Sequence, residues 1–214
     1  MKKDLGHLRK SYEKHRLEES QLKENPMLLF EEWFELAEND PQIEEANAMT
    51  LSTLGADGYP KGRVVLLKGY DHRGFIFYTN YNSEKGKAIA AHPQVGVSFF
   101  WSSQQRQIHI VGQATQLDEK ESDAYFQSRP RGSQLGAWVS PQSQTIQNRM
   151  VLESKLNDLE AHYDGKPIPK PTHWGGYVVA PSSIEFWQGR PNRLHDRIRF
   201  YQSDSQWHYE RLAP

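Results

Sequence analysis

Cations set among hydroxyls and aromatics are the residues of this chain that could do chemistry. Tyr125, Arg129 and Ser133 recur at every fourth position. One arginine with two hydroxyls is a sound phosphate-binding set. Arg63 and Lys68 bracket an apolar run. Tyr78, Thr79, Ser83 and Lys85 fall at a predicted strand-to-helix junction, where helix N-terminal N–H groups attract anions. Near the C-terminus, Trp187 precedes Arg193, His195, Arg197 and Arg199. If that last stretch is extended, alternation puts these four cations on one face, roughly 6–7 Å apart. Such a comb suits a small anionic or electron-rich ligand, with an indole to wall a flat ring. Each set also has a plainer alternative. Arg63 could pair with an acid, Tyr125 could be core, and the comb could be a solvated strand. Arg63 and Lys68 are five apart, so strict alternation puts them on opposite faces. They share one pocket only if the strand bulges or twists.

Other chemistries are disfavoured. Cysteine is absent, which excludes thiolate catalysis, disulfides and cysteine-ligated metals. The histidines are scattered without ligand spacing, and no H-E-x-x-H occurs, so no metal site is expected. There is no P-loop, no G-x-G-x-x-G and no G-x-S-x-G. A formal net charge of -1 gives no field for nucleic acid or membrane. No apolar run approaches the roughly 20 residues of a membrane helix, and the charged start lacks a signal-peptide core. The expectation is a soluble, cytoplasmic protein.

The elements that must position these residues follow from pattern. Residues 1–24 are dominated by charge and read as a mobile or loosely docked helical segment. Asn25-Pro26 caps a helix to about Glu38, with an apolar stripe of Met27, Phe30, Phe34 and Ala37. Strands are predicted over 48–54, 63–68 (buried) and 75–79, joined by Gly- and Asp-rich turns. Ser83 caps a helix over 84–91. Strands 95–101 and 106–117 come next, then a capping box at Asp118 with Glu121 opening the helix that carries Tyr125 and Phe126. A short helix at 134–139 and a longer one at 145–162 lead to a proline-rich connector over 164–171. Strands at 176–180, 183–188, 194–201 and 207–211 end the chain. About eight strands with intervening helices predict one α+β domain, mainly β, built on an antiparallel barrel. It would span 25–214 behind the 1–24 segment.

Taken in order, several stretches resemble the pyridoxamine 5′-phosphate oxidase family. They are residues 63–68, Phe77 to Asn80, Tyr125 to Ser133, Gly136 to Ser143, Trp174 to Gly176, Ile184 to Gly189, Arg193 to Arg197, and the ending Arg211-Leu212-Ala213-Pro214. They occur in the family's order, and the resemblance extends over nearly the whole chain from about Leu5. The resemblance implies an FMN-binding split barrel of six to eight antiparallel strands with flanking helices. It implies a homodimer with FMN at the interface. The implied reaction oxidises pyridoxine or pyridoxamine 5′-phosphate to pyridoxal 5′-phosphate, with a hydride passing to FMN and oxygen reduced to hydrogen peroxide. A flavin-binding or flavin-reducing protein without oxidase activity on the same barrel is the alternative.

Carried over by position, the implied FMN contacts are Arg63, Val64, Val65, Leu66, Leu67, Lys68, Tyr78, Thr79, Lys85, Gln107, Gln142, Ser143, Trp187 and Arg197. The implied substrate contacts are Lys68, Tyr125, Arg129 and Ser133 around the phosphate, and Arg193, Leu194 and His195 near the ring. Arg193 and His195 carry the catalytic roles, and no residue is assigned as a general base. Arg9, Lys10, Ser11 and Tyr12 would belong to a lid, which turns the charged segment from a tail into part of the site. Some family members place an arginine where this chain has Glu84, so Glu84 is expected to point away from the cofactor phosphate or to contribute only backbone.

Overall fold

The computed structural model describes residues 3–8 and 10–214. Its helices are α1 (Pro26–Glu38), α2 (Glu84–Ala91), α3 (Glu119–Ser128), α4 (Arg131–Val139) and α5 (Met150–His162). Its strands are β1 (Ala48–Leu54), β2 (Pro60–Leu66), β3 (Gly69–Asp71), β4 (Gly74–Asn80), β5 (Gln94–Trp101), β6 (Arg106–Gln116), β7 (Trp174–Gln188), β8 (Asp196–Ser203) and β9 (Gln206–Arg211). The strands hydrogen-bond in the order β2-β1-β5-β6-β7-β4-β3, with β8 on β7 and β9 on β8. None of the helices among the described residues is long and apolar enough to cross a membrane.

The chain divides into two compact units. The first comprises Met1–Thr50, Gly96–Val111 and Pro181–Pro214. Here Asn25 accepts the Met27 N–H at 2.9 Å and Pro26 takes the first helical position, so α1 starts where its capping residues dictate. Its apolar stripe buries Leu29, Phe30, Trp33 and Ala37. Phe30 meets Phe99 at 5.5 Å, and Trp33 sits edge-on to Phe186 at 5.2 Å. In the β7–β8 pairing, Trp187 lies opposite Arg197 and Gln188 opposite Asp196.

The second unit comprises Leu51–Val95 and Gly112–Ala180. Phe126, Leu135, Ile168 and Trp174 form a core to which α3, α4, the proline-rich connector and β7 each contribute. The β4–β7 pairing sets Tyr78 opposite Gly176 and Thr79 opposite Gly175. A Cβ at Gly176 would lie 2.8 Å from the Tyr78 ring, so the glycine lets that ring lie across the strand.

Several boundaries differ from expectation. Residues 10–18 form neither helix nor strand, and one 3-10 turn follows at Glu19–Gln21. Their backbone donors are taken by distant side chains. Gln105 Oε1 accepts the Glu13 and Lys14 N–H groups at 2.9 and 3.2 Å, and Asp196 accepts that of Leu17 at 3.1 Å. Leu17 is buried. β2 is not a buried strand. It stands at the end of the strand order, and Val64 is 68% exposed. β7 is one strand where two were expected, because Pro181 does not interrupt it. α5 begins at Met150, five residues late, with Ser143 at a φ of +69° in the preceding loop.

Gly86, in the first turn of α2, is packed against backbone and leaves no room for a side chain. A Cβ there would sit 2.6 Å from the Tyr81 backbone carbonyl carbon, which cannot move as a side chain could. Gly86→Ala is expected to destabilise the protein by about 2 kcal/mol, seen as a lower urea midpoint at unchanged slope.

Candidate active site

Within the second unit, β2, the segment after it, the end of β4, the start of α2, and α3 and α4 surround a cavity of about 500 Å³. Arg63, Lys68, Lys85 and Arg129 line it, and none of the lining residues is acidic. Arg63 donates from Nη1 to Thr53 Oγ1 at 2.7 Å and to the Leu51 carbonyl at 3.2 Å. Its pKa is lowered by burial. Lys85 donates to Gln142 Oε1 at 3.1 Å, as does the Thr79 hydroxyl at 3.2 Å. Burial and then the Arg63 charge push the Lys85 ammonium down. Ser83 caps α2 by accepting the Gly86 N–H at 3.2 Å, which fixes the helix start beside Lys85.

Arg129 ends α3 in extended conformation, followed by Pro130. Its guanidinium lies 4.5 Å from the Trp174 ring centre and is pushed down by burial. Its Nη1 is buried and has no protein partner. Tyr78 and Tyr125 stack at 3.8 Å, and Trp174 lies parallel to Tyr78 at 5.5 Å. Burial raises the Tyr78 phenol to about 12, so it stays neutral. Ser133 also faces this cavity. The parity problem of Arg63 and Lys68 resolves simply, because β2 ends at Leu66 and Lys68 lies beyond it. Val64, Val65 and Leu66 line the cavity, whereas Leu67 is buried.

A second cavity, about 740 Å³, lies in the first unit, lined by Leu8, Lys10, Ser11, Tyr12, Arg190, Asn192, Arg193 and His195. Tyr12 stands edge-on to Trp187 at 5.9 Å, and Trp187 is 4.6 Å from His195. A Cβ on Gly189 would lie 2.6 Å from the Tyr12 ring, so this approach needs glycine. The Arg190 backbone N–H donates to His195 Nδ1 at 3.1 Å. Nδ1 must then be the unprotonated nitrogen, leaving the proton of the neutral ring on Nε2.

The expected four-cation comb does not form. Asn192 and Arg193 both adopt left-handed φ, +58° and +62°, and β8 begins only at Asp196. Such positions cost on the order of 1–2 kcal/mol per residue. Arg197 and Arg199 are engaged elsewhere. Glu185 grips Arg197 through two bonds of 2.7 and 3.1 Å, holding its guanidinium charged, and Arg199 pairs with Glu210. Leu194 is 68% exposed, Ser143 is exposed, and Gln107 is half-buried in β6, lining neither cavity. Arg9 lies outside the described residues. Glu84 Oε1 accepts a bond from Lys61 at 2.6 Å. Pattern reading missed Arg190, whose backbone sets the His195 tautomer. Its only signal was its place beside Gly189.

Residues 36–163 match the family model described as pyridoxamine 5′-phosphate oxidase, and 174–214 match the pyridoxine 5′-phosphate oxidase C-terminal dimerisation region. A pyridoxine/pyridoxamine 5′-phosphate oxidase of Flavobacterium psychrophilum is 57% identical, over 99% of this chain and 100% of its own. One from Synechocystis is 52% identical, covering 98% of each chain. The crystal structure of PhzG from Burkholderia lata, in complex with tetrahydrophenazine-1-carboxylic acid, is similar at 29% identity and a TM-score of 0.85. It covers 91% of this chain and 95% of its own. A pyridoxamine 5′-phosphate oxidase-related, FMN binding protein from Nostoc punctiforme has the same fold at 17% identity and a TM-score of 0.68, over 86% and 97%. The fold is a mainly β split barrel with flanking helices.

The Arg190 amide makes a testable demand on His195. Burial, and then the Arg193 charge, depress its pKa below the ordinary 6.5. The ring is therefore neutral at and above that value and gains a proton only at lower pH, at the expense of the Arg190 bond. Nitrogen-15 NMR is expected to find the Nε2–H tautomer near neutral pH and a titration midpoint below 6.5. An Nδ1–H signal would contradict the geometry.

Proposed function

The chain belongs to the pyridoxamine 5′-phosphate oxidase family, and we propose that it oxidises pyridoxine and pyridoxamine 5′-phosphates to pyridoxal 5′-phosphate as a cytoplasmic homodimer. The proposed cofactor is FMN, held at the subunit interface, with oxygen as final acceptor. The match of 174–214 to a dimerisation region supports the assembly.

One observation carries the reading most directly. Arg129 buries a guanidinium nitrogen without a protein partner, in an acid-free cavity. Leaving a charged donor unsatisfied is costly unless a ligand anion fills the place. The residues fit two phosphate groups. Arg63, Lys85 and Thr79, with Gln142 bridging the last two, would hold that of FMN beside the α2 N-terminus. Val64 to Lys68, Tyr78, Gln107, Ser143, Trp187 and Arg197 complete the proposed cofactor set. Lys68, Tyr125, Arg129 and Ser133 would hold the substrate phosphate.

A bound flavin supplies the two-electron redox chemistry. This chain's residues then have positional tasks. The phosphate grip acts as a remote handle that places the substrate's 4′ carbon for reaction. Arg193 clamps the pyridine ring. His195, with its proton fixed on Nε2, donates to the ring's 3-oxygen and stabilises it as an anion. It is a donor and not a general base, since its other nitrogen is already occupied. Lys10, Ser11 and Tyr12, with Arg9, belong to the proposed lid over the substrate, and Leu194 is a proposed contact near its ring. A flavin-binding protein without oxidase activity would need neither the Arg129 handle nor the Arg193–His195 pair.

The direct test is to look for an oxidised-flavin spectrum in the purified protein, then add pyridoxine 5′-phosphate in air. Pyridoxal 5′-phosphate and peroxide are expected. A yellow protein making neither would refute the oxidase reading. For the handle, Arg129→Ala is expected to raise KM by about 30-fold, the equivalent of one charge-assisted phosphate contact of ~2 kcal/mol. Flavin affinity should stay within about threefold. Equal loss of both would contradict the division between the two phosphate sites.

A further inference from the structure

We propose that Lys61 holds the Glu84 carboxylate out of the phosphate cavity, and that this pair sets how tightly the chain holds its anionic cofactor. The proposal rests on the flavin reading above. Glu84 is the first residue of α2, directly before Lys85. Its carboxylate acts electrostatically on both Arg63 and Lys85, favouring the charged form of each. Those are the cations proposed to meet the flavin phosphate. A free carboxylate there would compete for them and repel a phosphate dianion, against the helix N-terminal field.

The structure restrains it. Lys61 Nζ lies 2.6 Å from Glu84 Oε1 and 2.9 Å from Asp57 Oδ2. Asp57 belongs to the turn between β1 and β2 and also accepts the Tyr59 N–H at 3.2 Å, which anchors it. Lys61 is thus held from one side by the turn and holds Glu84 on the other. The Lys61 ammonium is pushed up by Glu84 and then Asp57, and the Glu84 carboxyl is held below its usual range by Lys61. Both stay charged near neutral pH, so the carboxylate is managed by pairing and not by protonation. Lys61 does not line the cavity itself. It is a positioning residue that acts through Glu84.

The alternative is that Lys61 attracts the phosphate directly, and a double-mutant cycle separates the two. Flavin-free wild type, Lys61→Met, Glu84→Gln and the double variant would be titrated with FMN and with riboflavin, following quenching of flavin fluorescence. Lys61→Met is expected to weaken FMN binding about fivefold, the scale of an exposed ion pair. Riboflavin, which lacks the phosphate, should change less than about twofold. In the Glu84→Gln background, the same substitution should cost FMN less than about twofold. Equal losses in both backgrounds, equal losses for both flavins, or no loss at all would overturn the proposal. A wild-type protein that binds neither flavin would instead overturn the flavin reading on which it rests.

Discussion

Buried positive charge without a matching acid is the constraint on which the second unit depends. Several arginines elsewhere in the chain are satisfied by carboxylates. Arg73 is gripped by Asp71 and Glu121, Arg197 by Glu185, and Arg211 by Glu19 and Asp196. Around the cavity the rule is reversed. Arg63, Lys85 and Arg129 are each shifted toward deprotonation by burial, and their protein partners are hydroxyl, amide or carbonyl oxygens, or none. Desolvating cations costs free energy that neutral oxygens repay only in part. An anion would offset it, which is the charge balance that the proposed phosphate sites supply.

That arrangement needs rigid walls, and the aromatic stack supplies them. Tyr78 from β4, Tyr125 from α3 and Trp174 from β7 lie nearly parallel, with interplanar angles of 13°, 10° and 4°. Arg129 sits over Trp174, so one indole closes the apolar core and also holds the cation. Gly176 opposite Tyr78 is the local condition for this. The proposed phosphate handle is therefore built on helix and strand ends whose spacing is fixed by packing, which would favour precise placement of a substrate held at its far end.

Much of this was legible in the sequence where the signals are local. Asn25-Pro26, Ser83 and Asp118 are caps, and each marks a real helix start, although the Glu121 carboxylate pairs with Arg73 and does not close the expected capping box. The spacing of Tyr125, Arg129 and Ser133 correctly grouped three residues that face one cavity. The failures are non-local. Nothing near residues 10–18 reveals that Gln105 and Asp196 will take their amides, so charge alone suggested a helix. The comb failed because alternation assumes extended backbone, and Asn192 with Arg193 leave it by turning left-handed. Lys61 and Glu84 are 23 residues apart, and only the fold makes them neighbours.

The second cavity shows how such non-local contacts acquire chemical meaning. The N-terminal strap is fastened mainly by backbone. Glu13, Lys14 and Leu17 donate their N–H groups, and the Leu17 carbonyl accepts from Arg211 at 2.9 Å. Fastening by backbone fixes the path of the strap while leaving Lys10, Ser11 and Tyr12 to face the cavity. Gly189 admits the Tyr12 ring, and the next residue, Arg190, uses its own N–H to occupy His195 Nδ1. Position along one short strand end thus sets both the ring that covers the cavity and the nitrogen that can donate into it. Because a peptide N–H can only donate, His195 is committed to the donor role by the backbone itself. A substitution of the Arg190 side chain would leave that commitment in place.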